Sequence, residues 1–528
     1  CSSAGDDALW ALGELALERG DYSRARMAWA RVNPATAGGL IAYPGSPIPL
    51  AEVRARLALA AIREGDLRAA ERAVEAIRTE HGEAQGRLGG RTVVLGQWLG
   101  EELARTAATL AREAAAREWP TLYGNNRRTS VSPATAPRGA GYEQRWSAPI
   151  DGAPGASRSA GPTVFPVAAG NVAYVPSGRS ILSINLAAPQ GTPQVLATWD
   201  DEDAAVAAAR LTINDGLLFA LNPAANRIVG FDLQRDAAIA LDRRGDGASY
   251  CGHVVADGSQ VLACEITPGP AVKASVVCFD RWRGDGRWKR TLGWTFAEAD
   301  ASRPSPLVAE LSYDGAVVYA GTSLGMIAAF RAEDGEPLWL RTYDRRRAEG
   351  SAASCACRIA GSLLVALPAD SAEVLALDAA TGDLRWSRAR SSSGDGLLAV
   401  DEQHVLMQGE RLGRLQLMNG DADPLWGASV KGCAGAAAVA GELIFWPTTR
   451  DIRLVDRRTG EPTGESAPLA APGGANLAVV EFQDKDGRLS QLLLAAGAAQ
   501  LTAYRRIEAA DGRPAAADRP ADVNGPEK

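Results

Sequence analysis

A short hairpin that recurs along most of the chain constrains its fold more than any other feature. The clearest copy reads Glu373-Val374-Leu375-Ala376-Leu377-Asp378-Ala379-Ala380-Thr381-Gly382-Asp383-Leu384-Arg385-Trp386. Two alternating runs flank a turn in which Asp378 has the reach to bond its own backbone, and Gly382 supplies a positive φ without steric cost. The unit returns from Ala329 to Trp339 and, more loosely, from Cys278 to Trp288, each time with the Trp four residues after the Gly. Val455 to Gly460 keeps the turn and lacks the Trp, whereas Leu417 to Trp426 keeps the Trp with an altered turn. Degenerate copies lie at Asn185 to Trp199 and at Phe231 to Leu241.

An eighth unit is supplied by Leu494 to Ile507, which has inner strands but no Trp-bearing outer strand of its own. Tyr142-Glu143-Gln144-Arg145-Trp146-Ser147 precedes the first unit and reads as that missing strand. Pairing the two ends closes a ring and removes the open edges that a linear array would expose. From Trp288 onward the Trp residues recur roughly 40–50 residues apart, the length of a four-stranded blade. The prediction is a mainly β chain: an eight-bladed β-propeller at 142–507, after helices at 1–118 and a linker at 119–141. A tail at 508–528 is expected to be disordered, because it has few apolar groups to offset the entropy of ordering.

The hairpins resemble the PQQ-like, or quinoprotein-type, propeller repeat. Trp119-Pro120-Thr121-Leu122-Tyr123-Gly124-Asn125-Asn126-Arg127-Arg128-Thr129 is similar to the lead-in that precedes such propellers. WD40 is disfavoured, since its Gly-His and Trp-Asp signatures are absent. The resemblance implies a fold shared by quinone-dependent dehydrogenases and by non-enzymatic, BamB-like members, and a fold alone does not choose between them. The dehydrogenases hold their quinone under a disulfide of adjacent cysteines and bind Ca²⁺ through carboxylate and amide oxygens. This chain has no Cys-Cys pair; Cys355 and Cys357 are the nearest approach, and alternation along a strand would make a disulfide between them strained. It also has no Cys-x-x-Cys-His for covalent haem. No catalytic residue, cofactor or metal ligand is therefore assigned.

The remaining chemistry is sparse. The only histidines are His81, His253 and His404. Cys251-Gly252-His253 with Cys264 is the one cluster with metal-ligand chemistry, and its plainer reading is a set of buried core thiols. No Gly-x-Ser-x-Gly elbow frames a nucleophilic serine. Asp200-Asp201-Glu202-Asp203 are neighbours on a loop, where carboxylates solvate the chain rather than converge as a glycosidase needs. The seven cysteines form no framework spacing; Cys264 and Cys278 could oppose each other on neighbouring strands, though buried free thiols are the commoner outcome.

Before the propeller, Ala8 to Val32 and Val53 to Ile77 each read as helix, turn, helix, with Gly20-Asp21 and Gly65-Asp66 at the turns. They resemble tetratricopeptide repeats, with Ala58 standing where the first copy has its packing Gly and with a spacing longer than the usual ~34 residues. Thr92 to Ala115 is expected as a capping helix. The resemblance implies a concave peptide groove bearing Trp10, Glu14, Leu17, Leu59 and Ile62; the alternative is that Trp10 packs against the insertion or the propeller.

A net charge of -7 argues against a nucleic-acid surface, which needs clustered Lys and Arg. No apolar run reaches the ~18–20 residues that span a bilayer. Cys1-Ser2-Ser3 looks like the start of a bacterial lipoprotein, lipidated at Cys1, or else marks a fragment boundary. The expected function is a non-catalytic scaffold of the cell envelope that binds protein partners, with membrane attachment only through Cys1. The alternative is a propeller enzyme or small-ligand binder that uses its central channel.

Overall fold

The computed structural model describes the chain except residues 1–4, 19–21, 38–41, 65–66, 115–117, 138–140, 152–161, 163, 189, 199–208, 223–225, 234–236, 242–247, 259, 282–283, 297–307, 346–354, 391–395, 471, 485 and 508–528. The two Gly-Asp turns, the tail, Cys1 and the Asp200–Asp203 run thus lie outside the described residues.

Among the described residues five α-helices come first: α1 (Gly5–Glu18), α2 (Tyr22–Ala30), α3 (Leu50–Glu64), α4 (Leu67–Glu80) and α5 (Leu95–Ala114). Close approach of α1 and α2 depends on Gly13, where an added Cβ would come within 2.2 Å of the buried Trp29 indole nitrogen. The capping helix starts later than expected. Gln85–Leu88 and Arg91–Val94 form a β-hairpin instead, turned by Gly89 and Gly90 at φ +56° and +77°. The β-branched Thr92-Val93-Val94 run favours strand over the first helical turn. On the other side, Arg26 of α2 pairs with Glu333 at 2.7 Å and so ties the helices to a propeller turn.

Eight sheets follow. Blades 1 to 5 each have four antiparallel strands, with innermost strands Val167–Ala169, Arg210–Asn214, Ser249–Asp257, Ala309–Tyr313 and Ala356–Ala360. Blade 6 (innermost Gly396–Val400) has three strands, consistent with its altered turn. Blade 7 (innermost Ala438–Ala440) gains a short parallel strand, Val131–Ser132. Blade 8 joins Asn476–Gln483, Leu489–Ala496 and Gln500–Ile507 to Gly141–Pro149, with Trp146 opposite Ala503. The ring is closed by the segment the sequence had nominated.

The Trp of one blade docks on the turn glycine of the next. A Cβ at Gly335, Gly382, Gly420 and Gly460 would meet the rings of Trp288, Trp339, Trp386 and Trp426 at 2.6 to 2.8 Å. Each of those indole N–H groups donates to a backbone carbonyl of the following blade: Ala332 (3.0 Å), Ala379 (2.9 Å), Leu417 (2.7 Å) and Arg458 (3.2 Å). The glycine serves twice, allowing positive φ and giving the ring a surface without a side chain. The expected Asp-turn bonds are also present, since Asp378 accepts from the amides of Ala380 and Thr381.

Candidate functional site

The candidate site is the wall of the central channel, because the first strands of all blades converge there and the chain itself runs along them. Residues 119–137 are not a free linker between two domains. Trp119 exchanges backbone hydrogen bonds with Ala168 of blade 1, and Pro120 accepts from Ile213 of blade 2. Asn126 donates through its side chain to Ala256 of blade 3 and accepts from Tyr313 of blade 4. The carbonyls of Arg127, Thr129 and Ser130 then accept from Ile359, Val400 and Val439 of blades 5, 6 and 7. Ser132 completes the circuit by donating to Val479 of blade 8 at 3.0 Å. The lead-in therefore visits every blade in order, satisfying backbone groups that inner strands would otherwise leave open to the channel.

Local geometry along this segment is strained. Tyr123, Arg128 and Ser130 all lie at positive φ, between 55° and 60°, and such non-glycine residues persist only where surroundings over-determine them. Arg128 shows how. Its buried guanidinium donates to the carbonyls of Leu311 (3.1 Å), Leu122 (3.0 Å) and Val254 (3.1 Å) and to the Thr121 hydroxyl (2.6 Å). Burial pushes its pKa down to about 10, so it remains charged at neutral pH. From blade 5, buried Arg358 reaches inward to Ser130 Oγ (2.8 Å) and the carbonyl of Leu398 (2.6 Å), with its guanidinium 4.3 Å from the Tyr123 ring centre.

Arg210 of blade 2, partly buried and 4.9 Å over the Phe165 ring, adds a third cation. Two more titratable groups belong to this wall, Glu310 and His253, both buried, with Nδ1 3.8 Å from a Glu310 oxygen. That separation is too long for a hydrogen bond, and neither ring nitrogen of His253 has a partner among the described residues. Burial first, then Arg128 and Arg210, holds its pKa well below the usual histidine value. The imidazole is neutral.

Among the described residues no three His, Cys, Asp or Glu side chains converge as a metal site would require, and Cys355 and Cys357 are separate buried thiols. The cations nearest the axis are engaged in holding backbone rather than presented to a ligand.

The remaining residues singled out from the sequence fall in two places. In the helices, Trp10 packs on Trp29 (ring centres 6.3 Å apart) and under the Arg56 guanidinium, which also donates to Glu14. Leu17 is partly buried, and Leu59 and Ile62 are in the helical core, so the last two support a groove from inside rather than face it. In blade 3, Cys264 lies opposite Cys251, whereas Cys278 lies opposite Leu262; the Cys264–Cys278 alignment does not occur. The charged groups of the wall were not foreseen: Arg128 was visible inside the lead-in, but Arg210, Arg358 and Glu310 carry no local signal.

Fold and wall together define the class, an eight-bladed β-propeller whose channel is lined by its own lead-in segment. Residues 325–510 match the family model described as outer membrane protein assembly factor BamB. Among solved structures, a quinohemoprotein alcohol dehydrogenase from Comamonas testosteroni is similar with a TM-score of 0.53 and 12% identity, over 79% of this chain and 87% of that one. A europium-containing methanol dehydrogenase is similar at 0.50 and 12%, over 75% of this chain and 100% of that one. BamB from Moraxella catarrhalis gives 0.46 and 17%, over 69% and 99%. At such identities the likeness to the two dehydrogenases shows the fold alone. No curated protein matches the chain in sequence. No helix among the described residues is long and apolar enough to cross a membrane.

Proposed function

We propose that the chain is a non-catalytic scaffold of the bacterial cell envelope, with the propeller as a rigid disc that presents its loops to protein partners. The observation that carries this reading is the lead-in, which contacts all eight blades and commits the channel wall to structure. A platform fixed by blade packing suits recognition by loops. The family-model match over residues 325–510 supports the same class of role. The test is direct: purified protein supplied with pyrroloquinoline quinone, Ca²⁺ and an alcohol or aldose panel should not reduce an artificial electron acceptor above the quinone-free control. Saturable, quinone-dependent turnover would overturn the scaffold reading.

A second reading, a small ligand held in the channel, is favoured by one feature. His253 is buried beside a positive excess, Arg128 and Arg210 against Glu310, with both ring nitrogens unpartnered among the described residues. The envelope location and attachment through Cys1 belong to the proposal, as does a peptide groove around Trp10 and Glu14.

A further inference from the structure

Blade 3 places two thiols face to face. Cys251 on the innermost strand and Cys264 on the next are direct partners in the antiparallel register. Directly opposed residues have Cα atoms ~4.5–5.5 Å apart, within the ~4.4–6.8 Å that a disulfide spans. The pair also sits at an irregularity of the ladder. The register breaks immediately after Cys251, and Gly252 follows at φ +73°, its bare α-carbon facing the Ala309 carbonyl of blade 4.

The other cysteines are differently placed. Cys278 donates to Gln260 and to a backbone carbonyl, and Cys433 donates to the carbonyl of Gly435 at 3.3 Å. Cys357 packs against Gly321, and Cys355 accepts from the amide of Ala369. Only Cys251 and Cys264 oppose each other among the described residues.

The geometry points to Cys251 and Cys264 as a redox pair that closes to a cross-strand disulfide by exchange with a small-molecule or protein disulfide. Cys251 is half-buried and Cys264 fully buried, so Cys251 is the thiol that an external disulfide reaches. A hydrogen bond with Cys251, then burial, raises the Cys264 pKa well above the usual thiol value, which keeps it protonated until the second step. The Cys251 thiolate attacks one sulfur of the donor, forming a mixed disulfide and expelling one donor thiolate. Cys264 then gives up its proton, attacks the Cys251 sulfur and expels the second donor thiolate. Two protein thiols and one donor disulfide become one protein disulfide and two donor thiols, with two electrons transferred. Closure fastens the inner two strands of blade 3 beside His253.

The test is independent of the scaffold reading. The folded chain is treated with oxidised glutathione, then analysed by intact mass, free-thiol count and non-reducing peptide mapping. Expected are loss of two hydrogens, loss of two titratable thiols and a crosslink between the Cys251 and Cys264 peptides. Thermal unfolding should shift upward, reversibly with reductant. Cys251→Ser should abolish all three signals while Cys355→Ser leaves them intact, with unchanged circular dichroism in both. An unaltered thiol count, a glutathione adduct that persists on Cys251, or a crosslink to Cys355 or Cys357 would each overturn the proposal.

Discussion

The contacts between blades and the contacts around the axis hold the same ring by opposite means. Between blades, one arrangement repeats: an indole ring lies on a glycine of the next turn and its N–H meets a carbonyl, at Trp288, Trp339, Trp386 and Trp426. Around the axis only the backbone contact recurs, an inner-strand amide donating to a lead-in carbonyl, while the side chains differ from blade to blade. A single strained segment meets eight different inner strands, and the Arg128 guanidinium is held by backbone carbonyls and the Thr121 hydroxyl. The difference teaches where each part of the fold is vulnerable. A rim contact is one of several copies, while a wall contact has no substitute.

The largest effect is expected where the comparison is sharpest. Arg128→Met would take the guanidinium away from three carbonyls and a hydroxyl, of which the Val254 carbonyl and the Thr121 hydroxyl keep Thr212 as a partner. The loss should be about 4 kcal/mol, in the range for removing one side of a buried charged network. Urea unfolding monitored by tryptophan fluorescence checks this, provided the slope with denaturant is unchanged. A loss below that of any rim substitution would erase the distinction between wall and rim.

Next comes the rim itself. Gly382→Ala forces a non-glycine residue to φ +74° and drives its Cβ to 2.6 Å from the Trp339 ring, for about 3 kcal/mol. Gly361 sits at φ +56° with open space where a Cβ would go, so Gly361→Ala should cost only about 1 kcal/mol. The difference between the two, read from chemical denaturation, measures the docking surface separately from the backbone conformation. Equal losses would mean that the ring contributes nothing.

A smaller effect separates the wall by pH. In the unfolded chain His253 takes up a proton near its ordinary pKa of 6.5, while in the folded chain burial and then Arg128 and Arg210 suppress uptake to well below that. Between the two values unfolding binds a proton, so stability falls as pH falls, by at most about 1.4 kcal/mol per pH unit. His253→Gln should flatten this dependence below pH 6.5 and leave higher pH unaffected. An identical slope in the variant would show that the imidazole is not held neutral.

How much of this was legible follows from the same contrast. The rim was readable because its chemistry is local and repeated: Asp378, Gly382 and Trp386 lie within one hairpin, and closure by Trp146 followed from a strand missing at one end and left over at the other. What the hairpin concealed is that Gly382 serves Trp339, the tryptophan of the preceding blade, and not Trp386 in its own strand. The lead-in was visible as a motif, yet its path was not, since contacts from Trp119 to Ala168 and from Ser132 to Val479 join residues far apart with no periodicity to announce them. Likewise Ile62 reads as groove from the sequence and proves to be core once the partner helices are placed, and Thr92 reads as helix until Gly89 and Gly90 turn the chain.

The smallest effect tests whether the rim copies are interchangeable. Trp339→Phe keeps an aromatic ring over Gly382 and deletes the N–H that meets the Ala379 carbonyl at 2.9 Å, for about 1 kcal/mol. Trp146 of the closing strand also lies against a glycine, Gly191, but its indole nitrogen is buried without a hydrogen-bond partner among the described residues. Trp146→Phe therefore removes an unsatisfied polar group and should be neutral or slightly stabilising, despite the greater burial of this ring. Thermal and urea unfolding of the two variants side by side give the sign. If Trp146→Phe is the more damaging, the ring closure depends on its polar contact after all, and blade 8 is held by the same rule as blades 3 to 6.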